Sequence, residues 1–503
     1  MVLLHKLINI LFMKRYYSTP ISELDISKVA MNRVSSNLKR IVDGTTEVFT
    51  SPILQSFSPE SVLEGWDKLF ELNSIVLEDN LIDIEKSNRS KWGPSSIAAP
   101  WSERKEDFYS SFGDSDVGMD LRAIQSRPYI LRPISVENAI RYLKNTTSAG
   151  LPFMEKKGRV KAIVLGVFDK LLKALYPAIL YTRTQFGGKT RDIVCPGIAD
   201  IIEETRFYRP LLEFQRSLPW RKALGRPESI DAAITELIQK AIELDLFIVS
   251  IDFKNYDKTI KGGLQFSAFE YIRSLFQKQY HKQIDAIAYR FKTIPIVTPD
   301  GIIHGPHGVP SGSTFTNEVD SIVQYLVALS CKVVEFINLC QIQGDDAVYL
   351  TSDPEELFSC FAKYGLEVSR DKTIVAKDYV VYLQCLYHKH YMREGKFVGV
   401  YPTYRALGKI IYLEKFEKFE DDGISGADYF AIRTISILEN CKHHPLHREL
   451  VKYVYSLDKY SLKYSDQGLM NYMSRIHKQE GKDISFKNWQ YGNDLGGINE
   501  FET

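Results

Sequence analysis

The amino-acid sequence predicts an α+β fold, with a small antiparallel sheet in mid-chain between two largely helical regions. Three observations carry this expectation. Two apolar, β-branched runs, LDLFIVSIDF (244–253) and AVYLTS (347–352), each stand beside acidic residues. The first 140 residues have helix-like apolar spacing with irregular connections, among them the Pro/Ser-rich KWGPSSIAAPWSERKED (91–107). After about residue 400 the pattern is again mostly helical.

Composition sets the outer limits. A chain of 503 residues, 44% hydrophobic and 12% aromatic, can bury one large core or two to three ordinary ones, which excludes a disordered or fibrous protein. Lys plus Arg (64) nearly cancels Asp plus Glu (63), so a polyanion must be held by basic residues gathered on one surface. Between Arg141 and Arg191 such a gathering exists, eleven basic residues against two acidic, Glu155 and Asp169. The six cysteines (Cys195, Cys331, Cys340, Cys360, Cys385, Cys441) form no C-x-x-C pair, and their spacing predicts a reduced interior with neither a disulfide framework nor a zinc knuckle.

The N-terminal MVLLHKLINILFMKRYYST is too short to span a membrane. His5 and Lys6 interrupt its apolar run and Lys14 and Arg15 follow it, unlike the charge-first order of a secretory signal. An amphipathic arm packed on the body is expected, a targeting presequence being the alternative. No other segment looks like a membrane span.

The first apolar run is a buried strand that delivers Asp252 at its C-terminal end, with Asp257 five residues on as the chain turns. VVEFINLCQIQ and AVYLTS flank Gly344, Asp345 and Asp346, which predicts a hairpin with the acidic pair at its tip and Gly344 in the tight turn. Alone, such a pair is an ordinary solvated turn. A second strand ending in Asp252 could bring its oxygens beside Asp345 and hold two Mg²⁺ ions about 3.5–4 Å apart, the geometry of phosphoryl transfer.

Between these elements, GVPSGSTFTNEVDSIVQYLVALS (308–330) is a Gly/Ser/Pro loop leading into a helix. Pro310, Ser311 and Gly312 let the backbone bend and approach a ligand, and Thr316 and Asp320 share one helix face that can line a nucleotide site. The competing reading is an N-capped helix whose hydroxyls satisfy its own backbone. Further on, SDPEELFSCFAKYG predicts a helix with Asp353 as N-cap, Pro354 at N1, Glu356 at N3 and Gly365 beyond its end. VYLQCLYHKHY (381–391) alternates as a strand. Gly187, Gly188, Lys189 and Thr190 fail as a phosphate-binding P-loop, because the first required glycine falls at Arg183. Pro445 breaks any helical pairing of His443, His444 and His447, so these are expected to be surface histidines.

In this order and at these separations, Asp252 with Asp257, P-S-G-S-T-F-T-N-E-V-D-S, and G-D-D resemble motifs A, B and C of viral RNA-dependent RNA polymerases. The wording GVPSGSTFTNEVDSI most resembles the double-stranded RNA viruses of the picobirnavirus and partitivirus group, and picobirnavirus in particular. Partitivirus polymerases commonly have Asn after G-D-D, where Ala347 stands here, and Gln343 precedes the glycine. TTSAGLPF (146–153), with Thr147, Ser148 and Gly150, is similar to motif G at the template entrance; without the resemblance it is a turn. TRTQFGGKTRDIV (182–194) is similar to motif F and would place Arg183, Lys189 and Arg191 at the triphosphate, where a basic surface hairpin is the plain alternative. LEVSRDKTIVA is similar to motif D, whose lysine, here Lys372, would protonate departing pyrophosphate, unless it is simply a surface lysine. Residues 381–391 are similar to motif E, which supports the nascent 3′ end.

The resemblance implies a right hand of fingers, palm and thumb, with an antiparallel palm sheet and a closed fingers–thumb ring bridged by the N-terminal arm. Residues 1–245 would form arm and fingers, 246–262 the palm with motif A, 263–304 a fingers insertion, 305–400 the palm with motifs B to E, and 401–503 the thumb and C-terminal region. It implies an RNA-directed RNA polymerase that replicates and transcribes a viral double-stranded RNA genome by two-metal-ion nucleotidyl transfer. Two Mg²⁺, replaceable by Mn²⁺, would be held by Asp252 and Asp345, with Asp346 a weaker ligand. Asp257, Ser311 and Asp320 would sense the ribose 2′-hydroxyl beside Gly312 and Thr316. Asp320, where many positive-strand polymerases have Asn, would put two carboxylates together, one hydrogen-bonded through Ser311 or partly protonated. Partners would be single- and double-stranded template RNA, NTPs, nascent RNA and capsid protein, in the virion interior and host cytoplasm. A reverse transcriptase shares the acidic palm but lacks the S-G-x-x-x-T-x-x-x-D helix. A non-enzymatic RNA-binding or capsid-associated protein could use the basic segment and the 29 tyrosines, without requiring three aspartates together.

Overall fold

The structure, a computed structural model, describes residues 16–480 apart from 55–56, 120 and 122–130. Most of the amphipathic N-terminal arm, residues 1–15, lies outside the described residues. The remainder of that arm, Tyr17–Thr19, is a strand paired antiparallel with Ile302–His304.

At the centre is an antiparallel sheet in the order Ile374–Ala376, Phe247–Ile251, Asp346–Thr351, Val334–Glu335, with Gln341–Gln343 also paired to the third strand. Both faces of its middle strands are covered. Val249, Ile251, Ala347 and Tyr349 point into the largest core, shared with the helix Thr316–Ser330. Ile248, Val348 and Leu350 point the other way, against the helix Pro227–Leu244. Two-sided burial is why these strands read as unbroken apolar runs, and each such side chain contributes about 1.5–3 kcal/mol.

A second sheet, ordered Tyr17–Thr19, Gly301–His304, Ile296–Thr298, Ala178–Thr184, Thr190–Cys195, carries the basic hairpin. The expected 263–304 insertion divides between cores. Its helices Gly262–Ser274 and His281–Thr293 pack with the central sheet, whereas Ile294–Ile303 joins the second sheet.

Helices Pro59–Asn73 and Asp79–Arg89, within the segment expected as arm and fingers, share a core with residues 386–472: Val62, Trp66 and Leu81 lie among Leu407, Ile410 and Leu450. Several expectations are corrected. Residues 381–391 are not one strand but belong to a hairpin, Tyr379–Tyr382 with Cys385–His388, turning at Leu383 and Gln384, both at positive φ. Non-glycine residues in both turn positions hide the turn from a sequence reading. Cys331 and Cys360 form a disulfide, against the expected reduced interior, because the helices Thr316–Ser330 and Pro354–Lys363 bring their Cα atoms to 6.1 Å across 29 residues of chain. His444 is buried beside Glu85 rather than at the surface, Nε2 to Oε1 3.0 Å, and His443 and His447 are half-buried. The 353–365 helix forms as expected, Asp353 capping the N–H groups of Glu355 and Glu356 and Gly365 at φ +78°. Among the described residues no helix is long and apolar enough to cross a membrane.

Candidate active site

The strand Phe247–Ile251 runs antiparallel to Asp346–Thr351 with Ile251 opposite Ala347, so the next pair along the ladder is Asp252 and Asp346. Asp345 sits at the turn beside them. Asp252 is held by its backbone: its N–H donates to Thr373 Oγ1 (3.1 Å) and its carbonyl accepts from Ser369 N–H (2.8 Å). Lys372 lies in the same turn, Nζ 4.0 Å from Asp252 Oδ1.

The acidic turn is fixed at Gly344, whose φ of +66° suits glycine. A Cβ there would also meet Asn317 Nδ2 at 2.9 Å. Gly344 N–H donates to Ser321 Oγ (2.7 Å), and its carbonyl accepts from Gln324 Nε2 (2.7 Å). Gln324 Oε1 in turn accepts from Tyr349 O–H (2.8 Å). Behind them Arg221, fully buried, donates to Ser321 Oγ, to Ile342 O (3.2 Å), to Asn317 Oδ1 (3.2 Å) and to Glu318 Oε1 (3.0 Å). One guanidinium therefore ties the helix Thr316–Ser330 to the strand that ends in the turn. The flat Trp220–Tyr325 stack, centroids 4.2 Å apart, supports it.

Asp257 and Asp320 complete the acidic side. Burial, then Asp345, pushes Asp257 up to about 6, against Arg191 and Lys258. Burial, then Asp257 and Asp345, raises Asp320 well above the carboxylate range, and its Oδ1 has no hydrogen-bond partner. Asp346 is pushed up to about 7 by burial, then by Asp345 and Asp252. Like charges this close favour either protonation or a cation. An all-carboxylate oxygen donor set is the chemistry a hard divalent ion such as Mg²⁺ takes, and Asp252, Asp345 and Asp346 are the residues that could hold one.

The loop before the helix differs from expectation. Ser311 Oγ donates to Asp192 O (3.2 Å) and accepts from Val194 N–H (3.2 Å), so it reaches neither Asp257 nor Asp320. A Cβ on Gly312 would lie 2.2 Å from Val194 O, so the close approach this glycine allows is to the chain's own basic hairpin, not to a ligand. Thr316 Oγ1 donates to Pro310 O (2.8 Å) and Ser313 O (3.0 Å), closing the loop on itself.

In the basic hairpin Arg183 stands opposite Arg191. All of Arg183, Lys189 and Arg191 are exposed, and Arg191 is near enough to the carboxylates to lower the pKa of both Asp257 and Asp346. Phe186 at the hairpin tip packs on Gly408, with the Arg405 guanidinium 5.5 Å from its ring centroid. In the 146–153 turn, Thr147 accepts from Lys157 Nζ (3.1 Å) and Ser148 Oγ bonds Tyr181 Oη (2.9 Å). Gly150, at φ +63°, leaves no room for a Cβ against Pro196 O.

Sequence reasoning missed five contributors. Arg221, Ser321 and Gln324 act through contacts to Gly344 and its strand. Glu204, buried on the helix Ile198–Gln215, accepts from Ser313 Oγ (2.8 Å) and Thr314 N–H (2.7 Å) and so anchors the glycine-bearing loop. Lys91 from the Pro/Ser-rich segment is a further basic group: burial, then Arg405 and Lys372, lower its pKa while Asp252 opposes them. Only the basic character of Lys91 and Arg221 was visible in sequence; their placement was not.

Residues 228–432 match the family model of viral RNA-dependent RNA polymerase. The chain is 29% identical over 504 aligned positions, covering 90% of it and 91% of the relative, to a potential RNA-dependent RNA polymerase of human picobirnavirus. It is 28% identical to the RNA-directed RNA polymerase of Cryptosporidium parvum virus 1, covering 56% of this chain and 57% of that one. Crystal structures of a human picobirnavirus RNA-dependent RNA polymerase and of its insertion-loop deletion mutant superpose with TM-scores of 0.76 each, at 24% and 25% identity. They cover 96% and 94% of this chain and 98% and 99% of theirs. With the acidic strand ends, the glycine-bearing loop and the basic hairpin in one place, residues 228–432 carry a viral RNA-dependent RNA polymerase domain, and along nearly its whole length the chain is similar to the picobirnavirus polymerase.

Proposed function

We propose that this polymerase replicates and transcribes a double-stranded RNA genome by two-metal-ion nucleotidyl transfer. The observation that carries the reading is the meeting of Asp252, Asp345 and Asp346 on adjacent strand ends, where burial and mutual repulsion push Asp346 up to about 7. Asp252 and Asp345 would hold two Mg²⁺, with Asp346 contributing less and Mn²⁺ serving in their place. Bound there, the ions supply Lewis-acid activation of the primer 3′-hydroxyl and charge neutralisation on the leaving pyrophosphate.

The chain's own residues do the rest. Arg183, Lys189 and Arg191 form a cationic rim for the triphosphate, joined by Lys91 and Arg405 from the other side. Lys372, beside Asp252, donates a proton to the departing pyrophosphate. Asp257 accepts the single hydrogen of the ribose 2′-hydroxyl with Asp320 beside it, so a ribonucleotide completes a hydrogen bond that a deoxyribonucleotide leaves unmade. Thr147, Ser148 and Gly150 line the template path. The Phe186–Gly408 contact and the Asn145 side-chain bond to Lys478 O (2.6 Å) favour a fingers–thumb ring around RNA. Capsid protein is the proposed partner, and the virion interior and host cytoplasm the proposed sites of action.

The test is incorporation of labelled ribonucleotides on a defined RNA template, with and without primer, in Mg²⁺ or Mn²⁺. Template-dependent product is expected from the wild type and not from Asp345→Ala. Equal product from both would remove Asp345 from the mechanism.

A further inference from the structure

We propose that Glu78, His388 and His390 form a zinc-binding site that fastens the motif E hairpin to the N-terminal helix Asp79–Arg89. One donor atom from each residue lies within 4.8 Å of the other two. The tightest pair, His390 Nδ1 and Glu78 Oε1, is 2.7 Å apart, and the two imidazole rings meet edge-on with centroids 4.8 Å apart. A small rotamer adjustment brings such donors to Zn–N and Zn–O bonds of about 2.0–2.2 Å.

The fold fixes all three donors from both sides. His388 ends the strand Cys385–His388, buried, and the chain then turns tightly, Tyr391 N–H donating to His388 O (2.9 Å). That turn puts His390 next to His388. Glu78 is the residue before the helix Asp79–Arg89, and its N–H donates to Tyr391 Oη (3.1 Å). Leu77 and Leu81 on one side and Leu386 on the other are buried in a common core, so hairpin and helix cannot drift apart without exposing apolar surface. Tyr391, by holding the Glu78 backbone, acts as an outer support of the kind metal ligands use.

The donor chemistry selects the ion. Two imidazoles with one carboxylate favour zinc over magnesium or calcium, which prefer all-oxygen sets. The neighbouring Lys389 does not fill the place of a cation, because its ammonium pairs with Asp378 at 2.6 Å. Glu78 and His390 are both partly exposed, which leaves a path for the ion and room for a water as fourth ligand.

The experiment uses the full chain carrying Asp345→Asn and Asp346→Asn, which removes competing metal binding at the polymerase site. Zn²⁺ is titrated calorimetrically, and Co²⁺ is used as a spectroscopic stand-in. One saturable Zn²⁺ per chain is expected, with the intense visible absorption of tetrahedral Co²⁺ and a rise in Tm. Glu78→Gln and His390→Ala, both at partly exposed positions, should each weaken binding more than about 100-fold. Lys389→Ala should bind as the parent does. Absence of saturable binding, or affinity unchanged in both ligand variants, would overturn the proposal. The readout does not involve RNA synthesis, so it stands apart from the test of the polymerase reading.

Discussion

Two carboxylates two residues apart on one helix, Glu318 and Asp320, are both buried, yet they lie in opposite electrostatic surroundings. Glu318 accepts from Arg221 at 3.0 Å, inside a network that also binds Ser321, Asn317 and the carbonyl of Ile342. Each carboxylate leaves one oxygen without a hydrogen-bond partner, Glu318 Oε2 and Asp320 Oδ1, but Asp320 faces Asp257 and Asp345 where Glu318 faces Arg221. A buried ion pair of the first kind is structural, since removing one partner strands the other. A buried charge of the second kind costs stability and is retained where a ligand completes it. The back of the helix Thr316–Ser330 thus fixes the position of the face that carries Asp320.

The largest expected effect breaks the structural side. Arg221→Met leaves Glu318 uncompensated in the core and should cost about 3–5 kcal/mol in denaturant unfolding. Arg221→Met with Glu318→Leu should recover much of that loss. A single substitution costing under about 1 kcal/mol would show that the pair does not organise the helix.

Next is the connection between the two sides. Ser321→Ala removes the acceptor for Gly344 N–H and should cost about 1–3 kcal/mol. Because the acidic turn is thereby loosened while the basic rim is untouched, kcat should fall at least about tenfold with KM for NTP little changed. A fall confined to KM would place Ser321 in substrate binding instead.

These two expectations also mark what could be read from sequence. The apolar run ending in Asp252, the hairpin tip at Gly344 and the capped helix after Asp353 were legible because each is a local pattern of strand, turn or cap. Arg221, Glu204 and Thr373 were not, because their partners are about a hundred or more residues away and a single sequence carries no pairing information. The same want of pairing information concealed Cys331–Cys360, whereas the turn at Leu383 and Gln384 was hidden because neither residue is glycine. Ser311 and Gly312 were seen as special for the right conformational reason, but the surface they approach, Val194, belongs to the chain itself.

Asp320→Asn tests the functional side. Its raised folded pKa means that protonation favours the folded chain, so stability from this group is present in acid and lost as pH rises. In the metal-free chain, Asp320→Asn should therefore gain stability over wild type, increasingly toward pH 8. Discrimination between ribo- and deoxyribonucleotides should change by roughly two- to tenfold. Unchanged discrimination would assign ribose sensing elsewhere.

The smallest effect concerns Glu204, which shares features of both classes. It is buried like Asp320 and pushed up to about 7, mainly by desolvation, but it is hydrogen-bonded like Glu318, to Ser313 and Thr314. Since its folded pKa lies above the usual carboxylate value, its contribution is complete below about pH 4.5 and fades as pH rises through 7. Glu204→Gln keeps the shape, can accept only one of the two hydrogen bonds because its –NH2 only donates, and does not ionise. Its stability relative to wild type should accordingly rise between pH 5 and pH 8 by about 2 kcal/mol, the lost hydrogen bond lowering the variant equally at both ends. Thermal unfolding of both chains across that range, without divalent ions, measures the difference directly. A flat difference would mean that Ser313 and Thr314 keep Glu204 ionised throughout, and would move it to the structural class occupied by Glu318.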